Sequence, residues 1–366
     1  MNRLRFGATV AVMFVGVVTT ATRMARTAEP SAAAGAPPGS TGDVIRQVVS
    51  DLGYDPVVGE RCVAFSRVLP VDRWRAAIDA ARDDAHTSGA AGLPAVETRV
   101  IDELQRRLDA VIRQADGDTR YWNLPLVLAD RQAQCLGNCQ LWYVFGSSVG
   151  LNVGAVEVSR PAAGELGEHE THVATLIRLA DGRVCMIDTR YGIESDPLRF
   201  GEVYRRDGAW WTRADLAGHR TLHRRVRPLD HAGIEAAILL NIGNTYRRAS
   251  RDRDASPIYD RGLSLDPQSP ALHLAAAETH LRNGTWDDAE RSIRTAIDLD
   301  PQSSDAHAAF ARLLMRRNQW ADAVASFDRA LALKPLSPDA IQRREEAVRR
   351  RDEATCDGLP SAASTP

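Results

Sequence analysis

Cys135, His172 and Asp188 are, by type and order, the residues of this chain best suited to do chemistry. A thiol becomes a strong nucleophile when a base takes its proton, and the base works best when a third group fixes its tautomer. In that arrangement Cys135 would attack a carbonyl carbon. His172 would act first as base and then as general acid, and Asp188 would orient the ring. The backbone N–H of Cys135, with Gln132 or Gln134 as upstream helper, would hold the oxyanion. Cys139, one helical turn later, is the rival nucleophile. Cys185 reads as a core residue in mid-strand and Cys356 as an incidental thiol near the C-terminus. Five cysteines leave at least one unpaired. No second Cys/His pair stands at zinc-ligand spacing, so neither a metal nor a cofactor is expected.

The flanking pattern says how these residues are held. Leu136, Leu141, Val144 and Phe145 recur at helical spacing and Gly150 is a natural stop, so Cys135 falls at or near a helix N-terminus. Free N–H groups and the positive end of the dipole favour a thiolate there. A competing start near Asn138, itself a good N-cap, would put Cys139 in the first turn instead. Residues 152–158 read as a strand, 159–171 as a polar loop that carries His169, 172–179 as a second strand and 183–188 as its return. The length of the turn decides the chemistry. A two-residue turn at Asp181-Gly182 would put His172 and Asp188 on opposite faces, because strand side chains alternate. A three-residue turn, Ala180 to Gly182 with Gly182 left-handed, pairs 179 with 183 and sets Asp188 opposite Ala174, diagonal to His172.

Upstream, residues 43–118 read as mainly helical, with Val100, Ile101, Leu104, Leu108, Val111 and Ile112 on one stripe. A helix-borne Cys, then a strand opening with His, then a strand ending in Asp resembles the transglutaminase-like superfamily, a circular relative of the papain-like enzymes. More narrowly, the chain resembles the SirB-type branch found with tetratricopeptide (TPR) repeats. Ala133-Gln134-Cys135-Leu136-Gly137 and Val149-Gly150-Leu151 are similar to that branch's motifs, with Ala133 in place of the usual first glycine and Val173-Ala174 in place of an aromatic after the His. The resemblance spans roughly residues 95–200. It implies a papain-like α+β domain and a Cys-His-Asp triad acting on amide or acyl bonds.

From about residue 236 a period of 34 is visible. Pro267, Pro301 and Pro335 keep it, as do Ala255, Ala289 and Ala323, and Tyr259, Ile293 and Phe327. Gly262, Ala296 and Ala330 form a column of small residues in the same phase. This is similar to the TPR family, a helix-turn-helix of that length. The prolines are expected to end each second helix, and a polar helix from Pro338 to cap the stack. The expected fold class is therefore an α+β papain/transglutaminase-like domain followed by an all-α TPR solenoid. The expected boundaries are a signal peptide or anchor over 1–28, a linker over 29–42, the first domain over 43–225, repeats with a cap over 236–354 and a disordered tail over 355–366.

Arg3 and Arg5 before an apolar run from Phe6 to Ala21 fit a secretory signal, so an exported protein is expected, held at a membrane only if that segment stays uncleaved. A formal net charge of −2 argues against a nucleic-acid partner. Two function classes fit. One is a thiol peptidase, amidase or acyltransferase whose repeats bind a protein or peptide. The other is a catalytically inactive transglutaminase-like scaffold whose repeats recruit the partner.

Overall fold

The computed structural model describes residues 39–89, 91–115, 120–160, 172–214 and 222–357. The expected signal segment, most of the linker, the loop bearing His169, the last nine residues and the Cys356 side chain lie outside the described residues. Among those described, no helix is long and apolar enough to cross a membrane. The chain divides into two compact units. Among the described residues, the first holds those within 39–160, 172–205 and 212–235, and the second those within 206–211 and 236–357.

In the first unit four helices come first: α1 (Thr41–Asp51), α2 (Pro56–Ser66), α3 (Val71–Ser88) and α4 (Leu93–Val111). Ser40 opens α1 with a capping box, its hydroxyl accepting from the Asp43 N–H while Asp43 reaches back to the Ser40 N–H. The helical chain thus begins just inside the stretch read as linker. Val100, Ile101, Leu104 and Leu108 of α4 are buried as one stripe, with Val100 and Ile101 four and three residues before Leu104 and Leu108 four after it.

A short strand β1 (Arg113–Gln114), helix α5 (Leu124–Asp130) and strand β2 (Gln132–Ala133) lead into α6 (Cys135–Ser148). β2 runs parallel to β1. Gly150 at φ +94° closes α6. The sheet then follows: β3 (Asn152–Arg160), β4 (His172–Arg178), β5 (Val184–Asp188), β6 (Ile193–Glu194), a short helix α7 (Phe200–Val203), β7 (Tyr204–Asp207), β8 (Trp210–Arg213) and β9 (Arg225–Leu229). Its order is β6-β5-β4-β3-β9-β8-β7. β9 therefore returns to the middle of the sheet and pairs antiparallel with β3. Glu157 and Arg227 face each other across that pair in a buried ion pair at 2.6 Å.

The β4–β5 hairpin has the three-residue turn. Arg178 pairs with Val184, the Leu179 N–H donates to the Arg183 carbonyl, and Gly182 sits at φ +81°. A buried Glu97 carboxylate from α4 accepts from the Ala180 N–H at 2.8 Å and ties the turn down.

The second unit is all helix among its described residues from 236 onward. α8 (His231–Arg248) starts five residues before the expected boundary, in the first unit, and pairs with α9 (Asp252–Leu265). α10 (Pro270–Asn283) pairs with α11 (Trp286–Leu299), α12 (Ser304–Arg316) with α13 (Trp320–Leu333), and α14 (Pro338–Asp357) follows. α14 extends past the expected start of the tail at 355. The prolines act one residue ahead of themselves. Asp266, Asp300 and Lys334 take near-identical extended conformations, φ −133° to −138° and ψ 81° to 86°, because a following proline disfavours the helical region. Asp266 and Asp300 then accept from the N–H of Gln268 and Gln302, and Ser269 and Ser303 cap the next helix. The small-residue columns allow close packing. A Cβ on Gly243 would lie 2.3 Å from the Tyr259 ring, and one on Gly262 2.8 Å from Leu272. Two repeats later the same positions are Ala311 and Ala330, which pack in one cluster with Phe327 and Ala340.

Candidate active site

Cys135 is the first residue of α6, with Gln134 as an N-cap of extended backbone and no side-chain capping bond. The first-turn N–H groups of such a helix lack intrahelical acceptors. Gly137 is what lets the helix start there. A Cβ at this position would stand 2.3 Å from the Tyr121 carbonyl oxygen and 2.9 Å from Val127 Cγ2. With the start at Cys135, Asn138 is in the first turn rather than a cap, and its amide donates to Thr189 Oγ1 at 2.8 Å.

β3 aligns the partners. Val158 pairs with His172 on one side and Val226 on the other. The turn register continues to place Asp188 at the level of Ala174. His172 Nε2 lies 2.5 Å from Asp188 Oδ2, with both side chains buried. Oδ1 of the same carboxylate accepts from the N–H of Arg190 at 3.0 Å and of Tyr191 at 3.4 Å. The Cys135 thiol interacts with the His172 ring. Nε2 is taken by Asp188 and the buried Nδ1 makes no regular hydrogen bond. Nδ1 is thus the ring nitrogen that no regular hydrogen bond occupies. Tyr191 packs edge-on to the imidazole, ring centroids 5.1 Å apart.

Electrostatics follow from these contacts. Burial opposes a Cys135 thiolate, but hydrogen bonding and charge from His172 and the Val173 N–H outweigh it, and the thiol is held below its ordinary value. Burial alone would depress His172; bonds to Asp188 and Cys135 and their charges reverse this and raise it to about 9. Asp188, despite burial, is held well below the usual carboxylate range by its two histidine partners. Both shifts act in the direction of a thiolate–imidazolium pair.

The rival thiol is in another setting. Cys139 is buried, accepts a weak bond from Thr175 Oγ1 at 3.6 Å, and is pushed up by burial. Burial likewise pushes Cys62 and Cys185 up to about 12. Cys62, Cys135, Cys139 and Cys185 are all free thiols. Gln132 lies on β2 and Gln134 directly precedes Cys135, both partly exposed. Among the described residues neither amide hydrogen-bonds Cys135, His172 or Asp188.

One residue at the site is absent from the sequence reading. His223 Nε2 lies 2.7 Å from Asp188 Oδ2, so two imidazoles share one carboxylate oxygen. Nothing local marks it, since it stands 35 residues beyond Asp188 and arrives only because β9 returns beside β3. Ligand atoms of His172, Asp188 and His223 lie within 4.8 Å of one another. The Nε2 atoms of both imidazoles meet the one shared oxygen.

Two family models match the C-terminal region. Both are described as tetratricopeptide repeat, over residues 240–304 and 286–343. Residues 240–343 are TPR repeats. Solved structures similar to this region include the first TPR domain of human RPAP3, at 21% identity and TM-score 0.32, covering 32% of this chain and 93% of that one. The Sgt2 TPR domain from Aspergillus fumigatus is 21% identical with TM-score 0.34, covering 36% and 89%. The second TPR domain of human RPAP3, solved with an HSP70 peptide, is 24% identical with TM-score 0.29, covering 31% and 94%. No curated protein matches the chain.

Proposed function

We propose that the chain is an exported thiol enzyme of transglutaminase-like, papain-like type, acting on amide or acyl bonds, with TPR repeats that dock a protein or peptide partner. The observation that carries this reading is the convergence of a helix-N-terminal thiol, an imidazole and a buried carboxylate, with His172 Nε2 at 2.5 Å from Asp188 and the Cys135 thiol interacting with the same ring. In the proposed cycle the Cys135 thiolate attacks the carbonyl carbon, a C–S bond forms, and the oxyanion takes donors from the Cys135 N–H. The His172 imidazolium gives its proton to the departing nitrogen or oxygen as that bond breaks, leaving a thioester. Water or an acceptor amine then attacks, His172 takes the proton, and the C–S bond breaks to restore the Cys135 thiolate beside protonated His172.

The scaffold reading draws on a different fact: the His172 side chain is fully buried. Turnover of a peptide and amide library, wild type against Cys135→Ala, separates the two. Product release and an acyl adduct on Cys135 with the wild type only support the enzyme. No turnover and no adduct under any condition support the scaffold.

A further inference from the structure

We infer that His223 is a positioning residue of this site, a second imidazole that holds the Asp188 carboxylate in the orientation His172 needs; this rests on the thiol-enzyme reading. An ionised carboxylate only accepts, so both imidazoles on Oδ2 must donate from Nε2. His172 thereby donates from Nε2 whether neutral or protonated, leaving Nδ1, which no regular hydrogen bond occupies, as the nitrogen that can exchange a proton, and a neutral His223 takes the Nε2–H tautomer. With the N–H groups of Arg190 and Tyr191 on Oδ1, all four contacts to the carboxylate are donors. Without His223, Oδ2 would have one donor and the carboxylate could tilt about its last torsion, carrying the His172 ring with it.

His223 is itself built in. Its side chain is wholly buried. Three consecutive carbonyls around it are clamped: Arg213 Nη1 donates to Leu222 O at 2.6 Å, Tyr204 Oη to His223 O at 2.8 Å, and the Arg213 N–H to Arg224 O at 2.8 Å. Tyr204 and Arg213 are buried too. The ring sits edge-on to Tyr191, centroids 5.5 Å apart, and to His172 at 5.9 Å. Among the described residues Asp188 and His172 are titratable groups that act on it, and burial with the nearby His172 charge lowers it against the pull of Asp188.

The test is the rate and pH profile of Cys135 alkylation by iodoacetamide in the intact protein, for wild type, His223→Gln and His223→Leu. Leucine is expected to slow labelling about 10-fold or more at neutral pH, the scale on which outer partners of a reactive group act, and to displace the profile. Glutamine can donate to Oδ2 and should restore most of the rate. Leucine at the wild-type rate and profile, or glutamine as slow as leucine while melting like the wild type, overturns the role. Should leucine not fold, glutamine and ¹⁵N NMR of the wild-type imidazoles decide. His223 protonated on Nε2 alone supports the inference, and the Nδ1–H tautomer or a doubly protonated ring overturns it. A wild-type Cys135 that itself reacts slowly and independently of His172 brings down the thiol-enzyme reading first, a result distinct from a fast Cys135 indifferent to His223.

Discussion

Protonation separates Cys135 from its neighbours at the residue scale. Cys62, Cys139 and Cys185 are all raised by burial, whereas Cys135 is lowered. Cys135→Ala should therefore abolish fast thiol labelling and Cys139→Ala should leave it, as mass mapping of the labelled peptide will report. The same groups make stability depend on pH. His172, raised to about 9, contributes stability that is complete below the unfolded value of about 6.5 and lost as pH rises through about 9. Cys135, depressed, contributes above its unfolded value and loses that contribution as pH falls through the folded one. Below about 6.5 the unfolded chain takes up a proton on His223. The folded chain takes it up only at a lower pH, because burial depresses His223. Stability should thus fall from pH 7 to 5 in urea titrations. His223→Gln should show the shallower slope, by at most about 1.4 kcal/mol per pH unit for the one proton removed.

Two glycines fix the elements that carry these residues, for different reasons. Gly182 has open space around its missing Cβ but φ +81°, so Gly182→Ala should cost about 1–2 kcal/mol through backbone strain. Gly137 has no such torsion but no room, and Gly137→Ala should cost about 1–3 kcal/mol by overpacking against Tyr121 and Val127. Denaturant midpoints measure both, and only Gly137→Ala is expected to slow Cys135 labelling, since it displaces the helix start. The helix beginning at Cys135 was legible because apolar spacing and a glycine stop are local signals. The odd turn was legible as a requirement, because alternation ties the faces of His172 and Asp188 to its length. His223 was not, since its place depends on a strand order that no local pattern encodes. Pro257 inside α9 also escaped the repeat pattern, whose columns constrain only packed positions.

For the whole molecule, every member of the candidate site falls in the first unit, and the repeats have clusters of their own. The repeat columns were the most legible part of the sequence because each position recurs against an equivalent neighbour, so packing demands the same residue size three times. Ala296 is wholly buried, and Ala296→Leu should overpack the stack by about 1–3 kcal/mol. It should lower the helical unfolding midpoint by circular dichroism and leave the Cys135 labelling rate unchanged. The central claim, an activated thiol at Cys135 served by His172, is tested most directly by one measurement. Iodoacetamide labelling of the intact protein at neutral pH is followed by mass mapping in the wild type and in His172→Ala. The prediction is rapid modification at Cys135 alone, lost in His172→Ala. Labelling of Cys135 that is as slow as at the buried thiols, or fast but indifferent to His172, would contradict it.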